Sequence, residues 1–494
     1  MSEIRPIYSG LISLIFTTLK LFVGLAFTVI ITRLLLPEEL GSWRLVLGLI
    51  GNVVIIHQVI SYWATRESAR EIYSGTTALI FSGILSIGGI LIYYILALFT
   101  SSNTDVNLDV LLAGSIIVPI LIVNRVAMAI NYGWRPHLLS YGQIIYSVSM
   151  LPVLYILIQY FHFGIFGIIF SSAISYLVAL FILIFFIRHR LQKKFKIEYI
   201  KIWIKRSWLS MYQYSHSLII SLDVLIFSLI TQSVIGLAYF TSAWSIGIIS
   251  GMASSVAAAS YPKLLSEGKT DFLSQNINKL FYFIIPFTFL TIVFAKAGLF
   301  LLNPIYVAVF PAVIIISIRT FFYTFSNTFS NYLLGLENID VNFESTLKEQ
   351  LKSKLVHIPT IRIIRNSIYL ISLLTLLLIV NDSNEILIIY WSIISLLSEI
   401  PFTVYFYMLV KKATRFSVDL KPLIKFFTIG IIVFYLIHLL SENYLEYEEG
   451  FFEFFLQLLP FIILSLVSYF GLTYLIDKNT RKFVKSILNE LKNK

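Results

Sequence analysis

The chain has 494 residues, of which 58% are apolar and only 13% are charged, and its formal net charge is +11. Soluble globular proteins average about 45–50% apolar and about 25% charged residues, so this composition excludes a soluble enzyme and a disordered chain. The sequence contains no cysteine, which excludes disulfide bonds, a thiol nucleophile and a cysteine-ligated metal. The chain is therefore expected to be an integral membrane protein.

Apolar stretches of roughly 20 residues, the length that crosses a bilayer, recur about fourteen times. Lipid offers the backbone no hydrogen-bond partners, so the sequence predicts an all-α integral membrane protein with about fourteen transmembrane helices. The predicted spans cover residues 9–32, 41–63, 75–99, 108–130, 139–160, 163–187, 207–231, 234–259, 280–302, 306–333, 363–380, 385–410, 422–440 and 452–476.

The basic residues indicate how the chain is oriented. Lysine and arginine concentrate in alternate loops, above all in 188–206, 411–425 and the tail from 477, whereas the loops at 100–107 and 441–451 have none. Cytoplasmic loops carry the excess of positive charge, so both termini are expected in the cytoplasm. The protein is expected to be a multi-pass protein of the plasma (cytoplasmic or inner) membrane.

Two similar turns suggest an internal repeat. One runs LLLPEELGSW up to Gly41 and beyond, and the other runs ITQSVIGLAY around Gly236. The sequence predicts two homologous six-helix lobes, as is common in transporters. The predicted domains are an N-terminal lobe at 1–190, a basic cytoplasmic linker at 191–206, a C-terminal lobe at 207–410, helices 13–14 at 411–476 and a basic cytoplasmic tail at 477–494.

The linker carries Phe195, Tyr199 and Trp203 among its basic residues. Aromatic and basic residues together can bind single-stranded nucleic acid, but they also hold a segment against anionic headgroups. The second interpretation is favoured. A second cytoplasmic loop, at 338–362, is predicted to hold a short amphipathic helix that Pro359 ends.

Ionisable residues inside apolar spans are costly and usually face a cavity or a partner. In spans one, seven and ten the ionisable residues share a helical face with other polar residues, whereas two more ionisable residues lie in spans four and twelve. Two interpretations remain open: a water-filled cavity that binds an anionic substrate, or buried ion pairs, such as Lys20 with Asp223, that only orient helices. The ionisable residues in question are Lys20, Arg125, His216, Asp223, Arg319 and Glu399.

Further polar residues have simpler expected roles. Arg33 and Arg44 are expected to cap helix ends at the outer interface, and His57 is expected to be a satisfied polar core residue. Asp223 and Glu399 are either ion-paired or bind a coupling proton or Na⁺.

The opening stretch YSGLISLIFTTLKLFVGLAFTVIITRLLLPEELGSWRLV resembles the start of the polysaccharide and O-antigen flippases. These oligosaccharide transporters belong to the multidrug/oligosaccharidyl-lipid/polysaccharide exporter superfamily. The residues that fit the family pattern are Lys20, Arg33, Leu34, Pro37, Glu38, Glu39 and Gly41. The stretch NPIYVAVFPAVIIISIRTFFYTFSNTFSNYLLGLENI resembles the family's tenth span. A charged loop after span ten departs from the pattern.

The resemblance implies two lobes that alternate between inward- and outward-facing states, and a substrate that is an isoprenoid-linked saccharide with a phosphate or pyrophosphate. Lys20 and Arg319 would then contact the phosphate, supported by His216 and Arg125. Arginine can bind phosphate oxygens bidentately, whereas lysine acts as a point charge. Expected partners are membrane lipids and the glycosyltransferases and polymerase of the same pathway, with no nucleic acid and a monomeric state.

Three other functions are alternatives to a flippase. A drug or cation antiporter of the same superfamily would need a net acidic cavity. A membrane enzyme of glycan assembly would need larger outer loops, and a non-transporting component of glycan assembly needs no cavity at all. No catalytic constellation, Gly-rich phosphate loop or histidine cluster is visible in the sequence. No enzymatic activity, cofactor or metal is therefore expected.

Overall fold

The computed structural model describes most of the chain as α-helix, and no strand occurs among the residues it describes. Described are residues 22–134, 137–191, 194–205, 207–257, 272–337, 347–414 and 418–482, with the single residues 19, 264, 270 and 485. The all-α membrane architecture expected from the sequence is confirmed.

The first half of the chain forms eleven helices in the described residues. These are α1 (Phe22–Leu34), α2 (Pro37–Val54), α3 (Gln58–Ala69), α4 (Gly75–Ser101), α5 (Leu108–Gly114), α6 (Ile117–Trp134), α7 (His137–Tyr155), α8 (Gly164–Ile187), α9 (Ile197–Lys205), α10 (Ser207–Thr231) and α11 (Ile235–Gly247).

The second half continues with nine helices in the described part. These are α12 (Ser254–Ala257), α13 (Leu273–Val293), α14 (Ala295–Leu302), α15 (Phe310–Gly335), α16 (Leu347–Lys352), α17 (Lys354–Ile379), α18 (Asn384–Ala413), α19 (Leu420–Tyr444) and α20 (Phe451–Ile476).

Thirteen helical segments of the described chain are long and apolar enough to cross a membrane. The first predicted span, 9–32, lies partly outside the described residues, and its described part belongs to the shorter apolar helix α1. Apart from that span, each predicted span has a counterpart. Several real helices are longer than the apolar stretch that marked them, because helices continue into the interface where polar side chains are tolerated.

The chain forms two compact units. Unit one comprises residues 1–21, 242–358 and 388–494, and unit two comprises residues 22–241 and 359–387. Compactness and repeat ancestry are different properties, so the two homologous lobes and their boundaries stay a prediction.

The turn before α2 shows why this segment folds as it does. Pro37 occupies the first helical turn, where its missing N–H costs nothing. The Glu39 carboxylate accepts a hydrogen bond from the Leu36 N–H at 3.1 Å, which satisfies one of the free N–H groups at the start of the helix. A Cβ at Gly41 would overlap the carbonyl oxygen of Val234, so the helix packs against the 234 turn only because residue 41 has no side chain.

The basic linker contains a short amphipathic helix, α9. The side chain of Trp203 is fully buried against α3 in a core cluster of unit two, and its indole N–H donates to the Glu67 carboxylate at 2.9 Å. Lys201 and Lys205 of the same helix are exposed. An amphipathic helix with one anchored face and one basic face suits a membrane surface.

The start of α17 corrects the sequence prediction for loop 338–362. Pro359 lies inside α17 and does not end a helix. The helix begins at Lys354, whose N–H donates to the Glu337 carboxylate at 2.9 Å, and an acid at a helix N-terminus is favourable. Arg362, which the sequence prediction left in the loop, and Arg365, which it left in the first turn of the span at 363–380, therefore both lie well inside a candidate membrane-spanning helix.

Candidate functional site

In unit one, Arg319 lies on α15 with only 7% of its surface exposed. Its guanidinium carbon lies 5.1 Å from the ring centre of Trp244 and 5.0 Å from that of Tyr323. Both distances suit cation–π attraction. The guanidinium thus contacts two aromatic rings, and its buried Nε has no hydrogen-bond partner among the described residues.

The hydroxyl groups next to Arg319 on α15 form hydrogen bonds within the helix. Thr320 and Thr324 each donate to the carbonyl four residues earlier, at 2.7 and 2.8 Å. These hydroxyls are satisfied within the helix. The guanidinium is therefore the group of this face best suited to bind an anion, since a planar donor fork matches phosphate oxygens.

Glu399 of α18 also belongs to unit one and is only 1% exposed. Its backbone carbonyl accepts a hydrogen bond from the Thr403 hydroxyl, which also donates to the carbonyl of Phe322 on α15. Glu399 therefore lies where α18 packs against α15. A role in ion coupling stays a prediction.

In unit two, Asp223 lies on α10 with both carboxylate oxygens engaged. One oxygen accepts from the Tyr369 hydroxyl of α17 at 2.9 Å, and the other accepts from the Val224 N–H at 2.7 Å. The Arg44 guanidinium lies within Coulombic range of the Asp223 carboxylate. Arg44 thus faces α10 from inside α2, and the expectation that it caps a helix end is wrong.

His216, two turns earlier on α10, lies beside a second basic group. Arg362 and Arg365 of α17 both interact electrostatically with it. Asn366 ties the two helices together, because its amide donates to the His216 carbonyl at 2.6 Å and accepts from the Arg365 guanidinium at 3.0 Å. Arg365 is 5% exposed. The faces of α10 and α17 therefore hold an arginine pair that sequence reasoning missed.

The sequence does contain a pattern that indicates this arginine pair. Arg362, Arg365 and Tyr369 are spaced by three and four residues, which places them on one face of a helix. The signal was lost because the span was predicted to start at residue 363, where the mean hydropathy rises.

Arg125 of α6 is exposed, and it interacts electrostatically with His57 and with Tyr146 of α7. Charged side chains inside a membrane-spanning helix seldom face lipid, so this face of α6 is expected to be hydrated. His57 itself hydrogen-bonds the Ser61 hydroxyl at 2.8 Å, which supports the expected structural role.

The remaining predicted site residues have varied surroundings. Lys20 lies outside the described residues. Arg33, at the end of α1, is half-buried, and Glu38 is exposed near the start of α2. The Glu38 carbonyl accepts from the Ser42 hydroxyl at 2.7 Å. This bond lies within α2, and the part that the residues of this turn take in function stays a prediction.

Comparison with solved structures identifies the fold. The lipid II flippase MurJ in an inward closed conformation is similar with a TM-score of 0.62 and 13% identity, over 94% of this chain and 99% of that one. An inward-facing multidrug resistance transporter of the MATE family, in the MOP superfamily, is similar with a TM-score of 0.60 and 15% identity, over 83% and 100%. A MATE transporter in a straight conformation gives 0.54 and 16%, over 83% and 96%.

The fold is of the MATE and MurJ type. No protein-family model matches the chain, and no curated protein matches it either. At these identities the likeness shows the fold alone. The solved structures with this fold include transporters of the superfamily that the stretch around Pro37 and Gly41 resembles, whereas membership of the O-antigen flippases stays a prediction.

Proposed function

We propose that this protein is a transporter of polysaccharide biosynthesis that flips an isoprenoid-(pyro)phosphate-linked oligosaccharide from the cytoplasmic to the outer leaflet. It would do so by alternating access through a cationic cavity, in the cytoplasmic membrane and with both termini inside. One observation carries the proposal: among the described charged residues that lie at least seven positions from either end of a membrane-spanning segment, arginines outnumber carboxylates. These are Arg44, Arg125, Arg319, Arg362 and Arg365 against Asp223 and Glu399.

The chemistry of such a substrate matches these groups. A pyrophosphate carries concentrated negative charge that must leave water to cross a bilayer, and arginine side chains can replace that water with charge-assisted hydrogen bonds. Arg319 offers a guanidinium that contacts two aromatic rings. Arg365 and Arg362 offer a second basic group beside His216. Lys20 and Arg125 are proposed as further anion contacts.

The carboxylates suggest how the substrate could be released. Asp223 interacts with Arg44 in unit two, and protonation of this carboxylate or binding of a cation to it would change the charge that the arginines experience. No chemical bond of the substrate needs to change, so the protein is proposed to be a transporter without enzymatic activity. Association with glycosyltransferases or a polymerase, and a monomeric state, are part of the same proposal.

A drug or cation antiporter is the second candidate, and the buried carboxylate of Glu399 favours it. Solved structures of both kinds of transporter, a lipid II flippase and multidrug resistance transporters, share the fold. A cation-binding cavity requires net negative charge, since a bound cation needs compensation away from water. The arginine excess therefore favours the anionic substrate.

The test measures binding of an anionic isoprenoid. Purified protein is titrated with farnesyl pyrophosphate while the tryptophan fluorescence is recorded, because Trp244 lies against Arg319. Arg319→Gln is expected to weaken binding about tenfold or more, since a charge-assisted hydrogen bond contributes about 1.5–3 kcal/mol. Arg319→Lys is expected to lose part of the affinity, because lysine retains charge without the bidentate fork.

Arg188→Gln is the matched control. Arg188 also stacks on an aromatic ring, with its guanidinium carbon 4.0 Å from the centre of Phe185, but it is exposed just beyond the end of α8. The Arg188→Gln variant is expected to bind farnesyl pyrophosphate as tightly as the unaltered protein does. Equal binding by Arg319→Gln and Arg188→Gln would refute the anion site. Saturable binding of tetraphenylphosphonium but not of the pyrophosphate would favour the antiporter.

A further inference from the structure

A cavity of about 420 Å³ lies within unit one, where α13 and α19 begin and α20 ends. This volume falls within the range of roughly 300–1,000 Å³ that ligand pockets occupy. The residues that matter for its chemistry are Asn278, Lys279, Tyr282, Phe426, Asp477 and Lys482. None of them belongs to the anion site proposed above.

The polar wall of this cavity is basic. Lys279 and Lys482 contribute positive charge. The one acid among the lining residues named above, Asp477, is already engaged: it accepts from the N–H and the hydroxyl of Thr480 at 2.8 and 2.9 Å, and it pairs with Lys425 at 3.4 Å. The charge offered to a ligand is therefore positive.

One polar atom at the cavity lacks a partner. The Asn278 Oδ1 atom is buried and makes no hydrogen bond with any described residue. Buried polar atoms without a partner are costly and call for an explanation. A ligand that brings a hydroxyl donor to Asn278 would supply one.

The cavity also has apolar lining residues. These are Pro422 and the rings of Tyr282 and Phe426, whose two ring centres lie 5.5 Å apart. The cavity lies at the ends of three predicted spans, on the side that the basic loops predict to be cytoplasmic. Basic and apolar lining residues at this level match the junction between a headgroup and its acyl chains.

We propose that this cavity binds the phosphate-bearing headgroup of an anionic phospholipid of the cytoplasmic leaflet, with a glycerol-type headgroup that carries free hydroxyls. The phosphate lies between Lys279 and Lys482, a headgroup hydroxyl donates to Asn278 Oδ1, and the lipid's glycerol backbone rests on Phe426 and Tyr282. The bound lipid joins α19 and α20 to α13.

The test counts bound lipid by native mass spectrometry of the full chain in neutral detergent. The protein is titrated with phosphatidylglycerol, with phosphatidylcholine, and separately with sn-glycerol 3-phosphate. The unaltered protein is expected to prefer phosphatidylglycerol. K279Q/K482Q is expected to weaken its binding about 30-fold, because each lysine near an anionic lipid contributes about fivefold. Asn278→Leu, which keeps every charge, is expected to weaken it by a smaller factor.

The matched control is K201Q/K205Q. It removes the same charge from exposed positions of α9 and is expected to leave phosphatidylglycerol binding unchanged. Equal loss in the control, or equal binding of phosphatidylcholine and phosphatidylglycerol, would overturn the proposal. Displacement of phosphatidylglycerol by an equal concentration of sn-glycerol 3-phosphate would retain the phosphate site but overturn the lipid as its source. If K279Q/K482Q elutes as an aggregate, Asn278→Leu decides: binding equal to that of the unaltered protein contradicts the proposal.

Discussion

The Arg44 and Asp223 side chains, on α2 and α10, allow a direct test of whether polar groups in unit two form an ion pair or line a hydrated cavity. Arg44→Met removes the positive charge and leaves the Asp223 carboxylate without the Coulombic attraction of Arg44. Asp223→Asn removes the negative charge but retains an acceptor for the Tyr369 hydroxyl. The two single variants and the double variant complete a double-mutant cycle.

The magnitude follows from the surroundings of the pair. Arg44 and Asp223 are both half-buried. Removing one partner of an exposed ion pair costs less than about 1 kcal/mol, and removing one partner of a fully buried pair costs about 3–5 kcal/mol, whereas replacing both partners costs little. We therefore expect each single change to lower the free energy of unfolding by an amount between these limits, about 1–5 kcal/mol, and the double variant to recover most of it. Tyr369→Phe is expected to cost only about 0.6–1.7 kcal/mol, the range for side-chain hydrogen bonds between membrane helices.

The assay is SDS-induced unfolding in mixed micelles, followed by tryptophan fluorescence. Single-variant costs that add to the double-variant cost within about 0.5 kcal/mol would mean that the two charges do not interact. That result would refute the ion-pair reasoning. Water would then solvate each charge separately, as the cavity interpretation requires.

Three further outcomes are expected. Gly41→Ala should lower the free energy of unfolding by more than about 1–3 kcal/mol, because the new Cβ would overlap the backbone carbonyl of Val234. Gly51 lies on the same helix, and a Cβ added there would have no neighbouring atom within 4 Å, so Gly51→Ala should raise the free energy of unfolding by up to about 1 kcal/mol. Equal effects of the two changes on SDS-induced unfolding would contradict the packing argument. Trp203→Phe should speed amide hydrogen exchange in α9, because it removes the charge-assisted hydrogen bond to Glu67, which contributes about 1.5–3 kcal/mol. Unchanged exchange would show that this hydrogen bond does not stabilise α9. Burial would raise the pKa of the Asp477 carboxyl, but hydrogen bonds hold that pKa below its ordinary value. Its stabilisation is therefore fully present above pH about 3.9 and is lost as pH falls through the lowered pKa. The protection of amides near residue 477 against hydrogen exchange, measured relative to an unstructured chain at the same pH, should therefore fall only in acid. Asp477→Asn should remove this pH dependence.

The span pattern could be predicted because hydropathy is a local property. Each stretch of about 20 apolar residues must be helical in lipid, whatever it later packs against. The helix start near Pro37 and Gly41 could also be predicted from the sequence, because a proline at the first helical position and a glutamate two residues later favour a helix start. Such signals lie within a few residues of the feature that they predict.

The helix that carries Arg362 and Arg365 was only partly predictable. Hydropathy averaged along the chain rises after residue 363, so the basic first turns of α17 resembled a loop. The hydrogen bond from the Lys354 N–H to Glu337 joins residues 17 positions apart, and no local average detects it.

By itself, the sequence determined an all-α membrane protein and the segments that span the bilayer, because lipid imposes that solution on each apolar stretch separately. Tertiary structure alone decided which group each charged or ionisable side chain lies near: Arg44 lies near Asp223, His216 near the arginines of α17, and Arg319 near the ring of Trp244. These partners come from different helices, often far apart in the chain. Their pairing depends on how helices pack, and packing depends on side-chain shape in three dimensions, which periodicity along one helix does not contain.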